Sequence, residues 1–107
     1  MNIITYLRTI LRLKYAIDRA DKAHQKTGDR YYVLPGLNDK LIILNRRQFR
    51  SLKKQGRISH KARILDLQKE CFYCTPYQNG EGALSPHIRQ LKRKMYLEYT
   101  DYQLHNR

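Results

Sequence analysis

Residues 30–45 read RYYVLPGLNDKLIILN, and this stretch contains the β-structure around which the rest of the chain is predicted to fold. Two runs of residue types that favour strands, Tyr31–Leu34 and Leu41–Leu44, flank the segment PGLNDK. Proline, glycine, asparagine and aspartate are typical of turns, because each supports a backbone conformation that a turn requires. The pattern therefore predicts an antiparallel β-hairpin over residues 30–45.

The segment before the hairpin has the periodicity of one long helix. Positions separated by three or four residues lie on one helical face, and here they are Ile3, Tyr6, Ile10, Leu13, Ile17, Ala20 and His24. The opposite face is basic, and Gly28 is suited to end the helix. We predict a helix over residues 1–28 that packs on the core or on a partner protein. Binding to a membrane surface is the weaker alternative, because the helix contains neither Trp nor Phe.

Two shorter helices are predicted to fill residues 46–71. Asn45 and Gln48 have the spacing of a capping box at the start of RRQFRSLKKQ, which is followed by Gly56. Ser59 is a second potential cap, for the segment HKARILDLQKE. In that second helix, we expect an inward-facing group formed by Ile64, Leu65 and Cys71.

The remaining residues are predicted to form a loop and a last helix. Residues 72–85, FYCTPYQNGEGALS, are rich in residues that interrupt helices and are predicted as a loop. Ser85 followed by Pro86 is typical of a helix start and predicts a helix over residues 86–104. The order helix, hairpin, helix, helix, loop, helix predicts one α+β domain over residues 1–107, with a very small sheet.

The chain carries a large positive charge. Its 107 residues include 22 Lys and Arg against 9 Asp and Glu, which gives a formal net charge of +13. Apolar residues make up 41% of the chain, which is enough for one small core. This content argues against a wholly disordered chain. The composition predicts a folded domain whose partner is a polyanion, either a nucleic acid or an acidic protein surface.

The positive charge is densest between residues 46 and 63, where eight cations occur in eighteen positions without any acidic residue. On a helix after Asn45, Phe49 would face inward while Arg46, Arg50 and Lys54 form an outward row. Like charges at this spacing repel unless anions neutralise them, whereas a surface that merely confers solubility usually mixes both signs. A second cluster lies early in the last helix. The predicted polyanion-binding residues are Arg46, Arg47, Arg50, Lys53, Lys54, Arg57, Lys61, Arg63, Arg89, Lys92 and Arg93.

Residues 49–67, FRSLKKQGRISHKARILDL, also have the layout of a helix-turn-helix motif. The turn around Gly56 is one residue longer than in the usual motif, so two ordinary packed helices are the preferred interpretation. In the alternative, the chain is a free-standing nucleic-acid-binding regulator. His60, Lys61 and Arg63 would then lie near the start of the second helix, where base edges are contacted.

Tyrosine is unusually frequent, with nine residues and no tryptophan. Such rings can stack on unpaired bases, but tyrosine also suits protein interfaces because it joins an apolar ring to a polar hydroxyl. In the last helix, Ile88, Leu91, Met95, Tyr99 and Tyr102 share one face. The predicted protein-interface residues are Tyr6, Ile10, Tyr96, Tyr99 and Tyr102.

Cys71 and Cys74 enclose the segment CFYC, at a spacing suited to two zinc ligands. A structural zinc site needs four ligands, and only the isolated His60 and His87 would complete it. We therefore predict reduced cysteines without a metal or other cofactor, with redox catalysis as a weaker alternative. The chain has no close carboxylate pair, no phosphate-binding glycine loop and no nucleophile motif, so we predict no enzymatic activity and no small-molecule substrate.

The run ADKAHQKTGDRYYVLPGLNDKLIILNRRQFRSLKKQG, followed by ECFYCTPY, resembles small, basic, uncharacterised proteins of phages and mobile elements of gut bacteria. This resemblance implies an accessory protein encoded by such an element and assigns no functional residue. We predict a non-enzymatic structural or accessory subunit of a larger assembly, such as a phage virion or a nucleoprotein. Without a predicted transmembrane segment, signal peptide or disulfide framework, its expected location is the cytoplasm, or the virion if it is phage-encoded.

Overall fold

A three-stranded antiparallel sheet lies at the centre of the computed structural model, which describes residues 1–106. The elements are α1 (Ile3–Thr27), β1 (Tyr32–Pro35), β2 (Leu41–Leu44), α2 (Arg46–Lys54), α3 (Ile64–Glu70), β3 (Tyr73–Cys74) and α4 (Pro86–His105). This architecture is a single α+β domain and confirms the predicted fold class. No helix formed by residues 1–106 has both the length and the apolar character needed to cross a membrane.

The predicted hairpin is confirmed, with its first strand displaced by one residue. Tyr32 pairs with Leu44 and Pro35 pairs with Leu41. The turn between the strands places Asn38 and Asp39 at φ angles of 57° and 62°. Asn and Asp tolerate this left-handed conformation better than most residues, which explains why the turn forms at this point.

The prediction of a continuous loop over residues 72–85 is wrong at its start. Tyr73 and Cys74 form β3, which pairs with β1 on the side opposite β2. The Phe72 amide donates to the Val33 carbonyl, and the Thr75 amide donates to the Tyr31 carbonyl, each at 2.9 Å. A two-residue strand is too short to produce a detectable alternation in sequence, so only its pairing with β1 reveals it.

Helices cover both faces of the sheet. Val33 points into a core cluster that α1 and α4 complete through residues such as Leu13 and Tyr96. The neighbouring Tyr32 points into a second cluster that includes Phe49 of α2 and Leu67 of α3. Because successive strand residues face opposite sides, β1 connects the two cores.

Helix α1 packs through a narrower face than its periodicity predicted. Its buried residues are Thr9, Leu13, Ala16 and Ala20. The prediction is correct for Leu13 and Ala20 but wrong for Ile3, which is 74% exposed. The two alanines let the middle of the helix lie close to the sheet, while its first turns extend beyond the core.

The second of the two short helices begins later than predicted. Ser59 does not cap it: the Ser59 hydroxyl accepts a hydrogen bond from the Lys61 amide within a turn. Helix α3 starts at Ile64. At the residue before it, the Arg63 amide donates a hydrogen bond to the Asp66 carboxylate at 2.8 Å. Leu65 is exposed, contrary to the prediction. Residues 55–63 therefore separate α2 from α3. This connection is much longer than the turn of about three to four residues in a helix-turn-helix motif.

Candidate polyanion-binding site

The capping box predicted at the start of α2 is confirmed and fixes this helix on the domain. The Gln48 amide donates to Asn45 Oδ1 at 2.8 Å, and the Asn45 amide donates to Gln48 Oε1 at 3.0 Å. Phe49 is buried on the inner side of the helix, while Arg46 and Arg50 are exposed on the outer side. The predicted cationic row is therefore present.

A pocket of about 340 Å³ lies at the amino-terminal end of α2. It is lined by Gly28, Asp29, Arg30, Asn45, Arg46, Arg47, Arg50, Tyr77 and Gln78. Its one acidic residue, Asp29, accepts a hydrogen bond from the Asn45 side chain at 3.2 Å and is thereby held beside the cap. Four arginines against one carboxylate leave the pocket strongly positive. We call these residues the arginine pocket.

Tyr77 orders two of the arginines. The Arg30 guanidinium lies 4.3 Å from the centre of the Tyr77 ring, and the Arg46 guanidinium lies 5.6 Å from it. The Tyr77 hydroxyl accepts hydrogen bonds from Arg46 and Gln68, each at 3.2 Å. A guanidinium held against an aromatic face can direct its remaining N–H groups toward the oxygens of a phosphate or a carboxylate.

Arg30 connects the pocket to the interior. Its Nη2 donates to the Cys74 sulfur at 3.0 Å and to the Gly82 carbonyl at 3.1 Å. Burial lowers the pKa of Arg30, but the hydrogen bond and the charge of Cys74 outweigh it, so the pKa is raised above its ordinary value. The buried Nε has no hydrogen-bond partner among residues 1–106. Part of the Arg30 donor capacity is thus unused.

Arg30 and Tyr77 were not among the residues predicted from sequence. Arg30 precedes β1 and Tyr77 follows β3, so the pairing of these strands brings the two residues together. That pairing was the element missed in residues 72–85. The only sequence signal for this contact is a basic residue shortly before one strand and a tyrosine shortly after the strand that pairs with it.

The first turn of α2 is electrostatically unfavourable on its own. It contains Arg46 and Arg47 and no acidic residue. The amino terminus of a helix already carries a partial positive charge, so cations at this end destabilise it. An anion bound in the arginine pocket would relieve both the repulsion between the guanidiniums and their repulsion from the helix end.

The other predicted cations lie on separate surfaces. Arg57 and Arg63 line a groove of about 1390 Å³ along the edge of the sheet formed by β2. Arg89 and Arg93 line a groove of about 580 Å³ between α1 and α4. Lys53, Lys54 and Lys61 line none of these three spaces. The structure therefore divides the predicted set, and only three of its members share the arginine pocket.

Lys92 does not belong to any polyanion-binding surface, and its assignment to one is wrong. The residue is only 7% exposed, and its Nζ donates to the carbonyls of Gln68 and Cys71, each at 2.9 Å. These carbonyls lie at the carboxyl end of α3, where intrahelical donors run out. Lys92 satisfies them, so it is a structural cation.

Two of the predicted interface residues, Tyr6 and Tyr102, are exposed, and Ile10 and Tyr99 are half-buried. The assignment of Tyr96 to an interface is wrong. Its ring is 2% exposed, and its hydroxyl donates to the Thr9 carbonyl at 3.0 Å. Tyr96 therefore belongs to the core between α1 and α4.

Both long helices leave rows of apolar side chains in solvent. On α1 the row is Ile4, Leu7, Leu11 and Tyr15, and on α4 it is Ile88, Leu91, Met95 and Tyr102. Leu7 is 54% exposed and Leu91 is 46% exposed. Each row has helical spacing, so it forms a continuous stripe.

The cysteine pair lies between two cations. Arg30 contacts the Cys74 sulfur, and Lys92 contacts the Cys71 carbonyl. In residues 1–106, no three His, Cys, Asp or Glu side chains are placed to share a metal ion, so neither His60 nor His87 completes a set with the cysteines.

No protein-family model matches the chain, and no curated protein or solved structure shows significant similarity to it.

Proposed function

We propose that this protein is a non-enzymatic accessory subunit that binds a polyanion through the arginine pocket and protein partners through its long helices. The observation that carries the proposal is the convergence of Arg30, Arg46, Arg47 and Arg50 on one pocket. These residues come from two separate segments, so their meeting is a product of folding and not of one charged run.

The geometry favours the phosphates of a nucleic acid as the polyanion. Arginine binds phosphate through two parallel hydrogen bonds, and the Tyr77 ring holds two of the four guanidiniums in place. The pocket includes the exposed Arg50, and the exposed Lys54 lies one turn further along α2, so a negatively charged backbone can continue along the helix. Contacts of this type give affinity without selecting a base sequence.

The exposed apolar stripes support the second half of the proposal. Isolated apolar side chains on a surface are normal, but continuous apolar rows indicate contact with another protein. The stripes of α1 and α4 contain leucine, isoleucine and methionine, residue types that fill the centre of interfaces. A location in the cytoplasm or in a virion, and an origin in a phage or mobile element, stay predictions.

The lining of the pocket also favours binding over catalysis. Guanidiniums remain protonated and therefore act neither as general bases nor as nucleophiles. The one carboxylate, Asp29, is engaged by Asn45. The pocket thus offers charge for recognition but no group that would take a proton from a substrate.

Polyanion binding is tested by titrating the purified chain with a random DNA duplex at several salt concentrations. With four phosphate contacts, we expect the affinity to fall by about 10² between 50 and 200 mM salt. An unfolded acidic polypeptide serves as a second ligand, and a selected duplex reports on sequence recognition. Tight binding to the polypeptide without binding to DNA would instead assign the pocket to an acidic protein.

The accessory-subunit role is tested by combining Leu7→Glu with Leu91→Glu, one change in each apolar stripe. Both residues are exposed, so the fold should be retained. We expect the double variant to lose partners that co-purify with the wild-type chain while keeping its affinity for DNA. A wild-type chain that is monomeric and retains no partner in an extract of its native host would contradict this role.

A further inference from the structure

Strand β2 forms an open edge of the central sheet. The strand order is β2-β1-β3, so among residues 1–106 no strand pairs with the outer side of β2. The Gly36 amide donates to the Lys40 carbonyl at 2.7 Å, and this bond fixes which residues of the hairpin form hydrogen-bonded pairs. Because such pairs alternate along an antiparallel ladder, Ile42 bonds to β1. The amide and carbonyl groups of its neighbours Leu41 and Ile43 therefore point away from β1, toward the position of a further strand.

The edge of β2 lacks the features that usually protect an exposed strand. Natural sheets place charged side chains, proline or a bulge at such an edge. Residues 41–44 read LIIL, without charge or proline, and they pair with β1 in continuous register. Ile42 is 37% exposed, and Leu37 in the preceding turn is 85% exposed. An edge of this kind favours the addition of a strand from another chain.

The groove of about 1390 Å³ that follows this edge is lined from both faces of the sheet. On the face covered by α2 and α3, the half-buried Leu52, Ile58 and Ala62 line it. On the face covered by α1, the exposed Arg19 and the half-buried Ala23 line it. We call this space the edge groove. A strand added to β2 would direct alternate side chains to these two faces, one apolar and one basic.

The charge of the edge groove favours an acidic occupant. Four exposed cations line the groove, namely Arg19, Lys40, Arg57 and Arg63. The acidic residues in the lining are Asp66 and Glu70. Asp66 is engaged within the chain, because its carboxylate accepts from the Arg63 amide at 2.8 Å and lies 3.7 Å from the Arg63 guanidinium. The lining therefore has a net positive charge, which complements carboxylates.

We propose that β2 is the docking site for an extended segment of a partner protein in which apolar and acidic residues alternate. The segment extends the sheet by pairing with the main chain of Leu41 and Ile43. Its apolar side chains contact Leu52 and Ile58, and its carboxylates face Arg19. Main-chain pairing supplies affinity in this mode of recognition, and the alternate side chains supply specificity.

A second copy of this chain is disfavoured as the occupant. Pairing two β2 strands would bring the cations of two edge grooves together, on chains that each carry a net charge of +13. The edge groove is also distinct from the arginine pocket and from the apolar stripes of α1 and α4. The docking site therefore does not rest on the proposed function.

Docking is tested by adding a capped heptapeptide of alternating valine and glutamate to the full chain and following amide hydrogen exchange by NMR. At about ten times the dissociation constant of the peptide, the exchange of the Leu41 and Ile43 amides should slow by about tenfold. The Ile42 amide already bonds to β1 and should change much less. Unchanged exchange at Leu41 and Ile43 would overturn the proposal. A peptide with lysine in place of glutamate should bind at least about tenfold more weakly, and equal binding would overturn the choice of an acidic segment.

Paired charge reversals locate the peptide on the surface. Arg19→Glu combined with Arg57→Glu should weaken peptide binding at least about tenfold at physiological salt, where distant charges are screened. Arg46→Glu combined with Arg47→Glu changes the net charge equally, but within the arginine pocket, and should cost under about threefold. Equal losses in the two variants would place the peptide elsewhere or reduce its binding to net charge, and either result would overturn the proposal.

Sedimentation of the chain without peptide distinguishes the other occupant. We expect the Leu41 and Ile43 amides to exchange at the same rate in dilute and concentrated protein. A dimer in which these two amides become protected would assign the edge to a second copy of the chain and would overturn the proposal.

Discussion

Helices α2 and α4 are both rich in cations, but the structure uses these cations in different ways. In α2, Arg46, Arg47 and Arg50 lie in solvent around a shared pocket. In α4, Lys92 is buried against the end of α3, and the Arg89 guanidinium lies 5.3 Å from the centre of the Tyr73 ring. Two cation-rich helices therefore differ: one carries a solvent-exposed cationic pocket, and the other contributes a buried structural cation.

The difference shows that the partner of a cation decides its role. Lys92 meets carbonyl groups at a helix carboxyl end, where a positive charge is favourable. Arg46 and Arg47 lie at a helix amino end, where a positive charge is unfavourable. The unfavourable position is the one that a bound anion would stabilise, which is why we assign function to α2.

The largest effect on stability is expected at the buried cation. Lys92→Met would leave the carbonyls of Gln68 and Cys71 without their donor, and we expect a loss of about 2 to 4 kcal/mol in the free energy of unfolding. Chemical denaturation measures this loss. Lys94→Met removes the same charge from an exposed position of α4 and should change stability by under about 0.5 kcal/mol. Similar losses in the two variants would mean that Lys92 is not a structural cation.

A smaller loss is expected at the tyrosine that joins α4 to α1. Tyr96→Phe removes the donor to the Thr9 carbonyl and should lower the free energy of unfolding by about 1 to 2 kcal/mol. Tyr102→Phe is the matched control, because Tyr102 is 63% exposed. If thermal unfolding of the two variants is indistinguishable, Tyr96 does not hold the helices together.

These two residues show which parts of the fold the sequence could predict. The hairpin, the capping box of Asn45 and the helix start at Ser85 depend on residues close in sequence, and all three are present. The burial of Lys92 and Tyr96 depends on which face of α4 meets the sheet. Periodicity groups the apolar residues of α4 on one face, but it does not show whether that face meets the sheet or the solvent.

The candidate site was predicted only in part for the same reason. The α2 arginines follow from one continuous segment, but their association with Arg30 and Tyr77 depends on the pairing of β1 with β3. A contact between residues so far apart in sequence leaves no local pattern. The link from Arg30 to Cys74 was missed for that reason as well.

A pH titration tests whether Cys74, whose sulfur contacts Arg30, is a thiolate in the folded chain. The pKa of Cys74 is lowered to about 6, chiefly by the hydrogen bond from Cys71 and by Arg30. Since this value lies below that of an unfolded cysteine, the thiolate stabilises the fold above the unfolded pKa, and this stabilisation is lost as pH falls through about 6. The ultraviolet absorbance of the thiolate should follow the same change in wild type. Absorbance that appears only above pH 8 would show an ordinary thiol.

The smallest effect is expected at the ring that orders the pocket. Tyr77→Phe keeps the aromatic face but removes the hydroxyl that accepts from Arg46 and Gln68, so the affinity for DNA should fall by about two- to threefold. Tyr15→Phe changes an exposed hydroxyl on α1 and should leave the affinity unchanged. A Tyr77→Phe variant with wild-type affinity would remove the hydroxyl from the positioning of Arg46.

The most direct test compares charge reversal in the two helices. One variant combines Arg46→Glu, Arg47→Glu and Arg50→Glu in α2, and its control combines Arg89→Glu, Arg93→Glu and Lys94→Glu in α4. Both lower the net charge equally, and all six residues are exposed. With the arginine pocket as the site, the α2 variant should lose at least about 100-fold in DNA affinity and most of its salt dependence, while the control loses under about tenfold. Equal losses in the two variants would show that net charge alone governs binding, which would contradict the assignment of the site to α2.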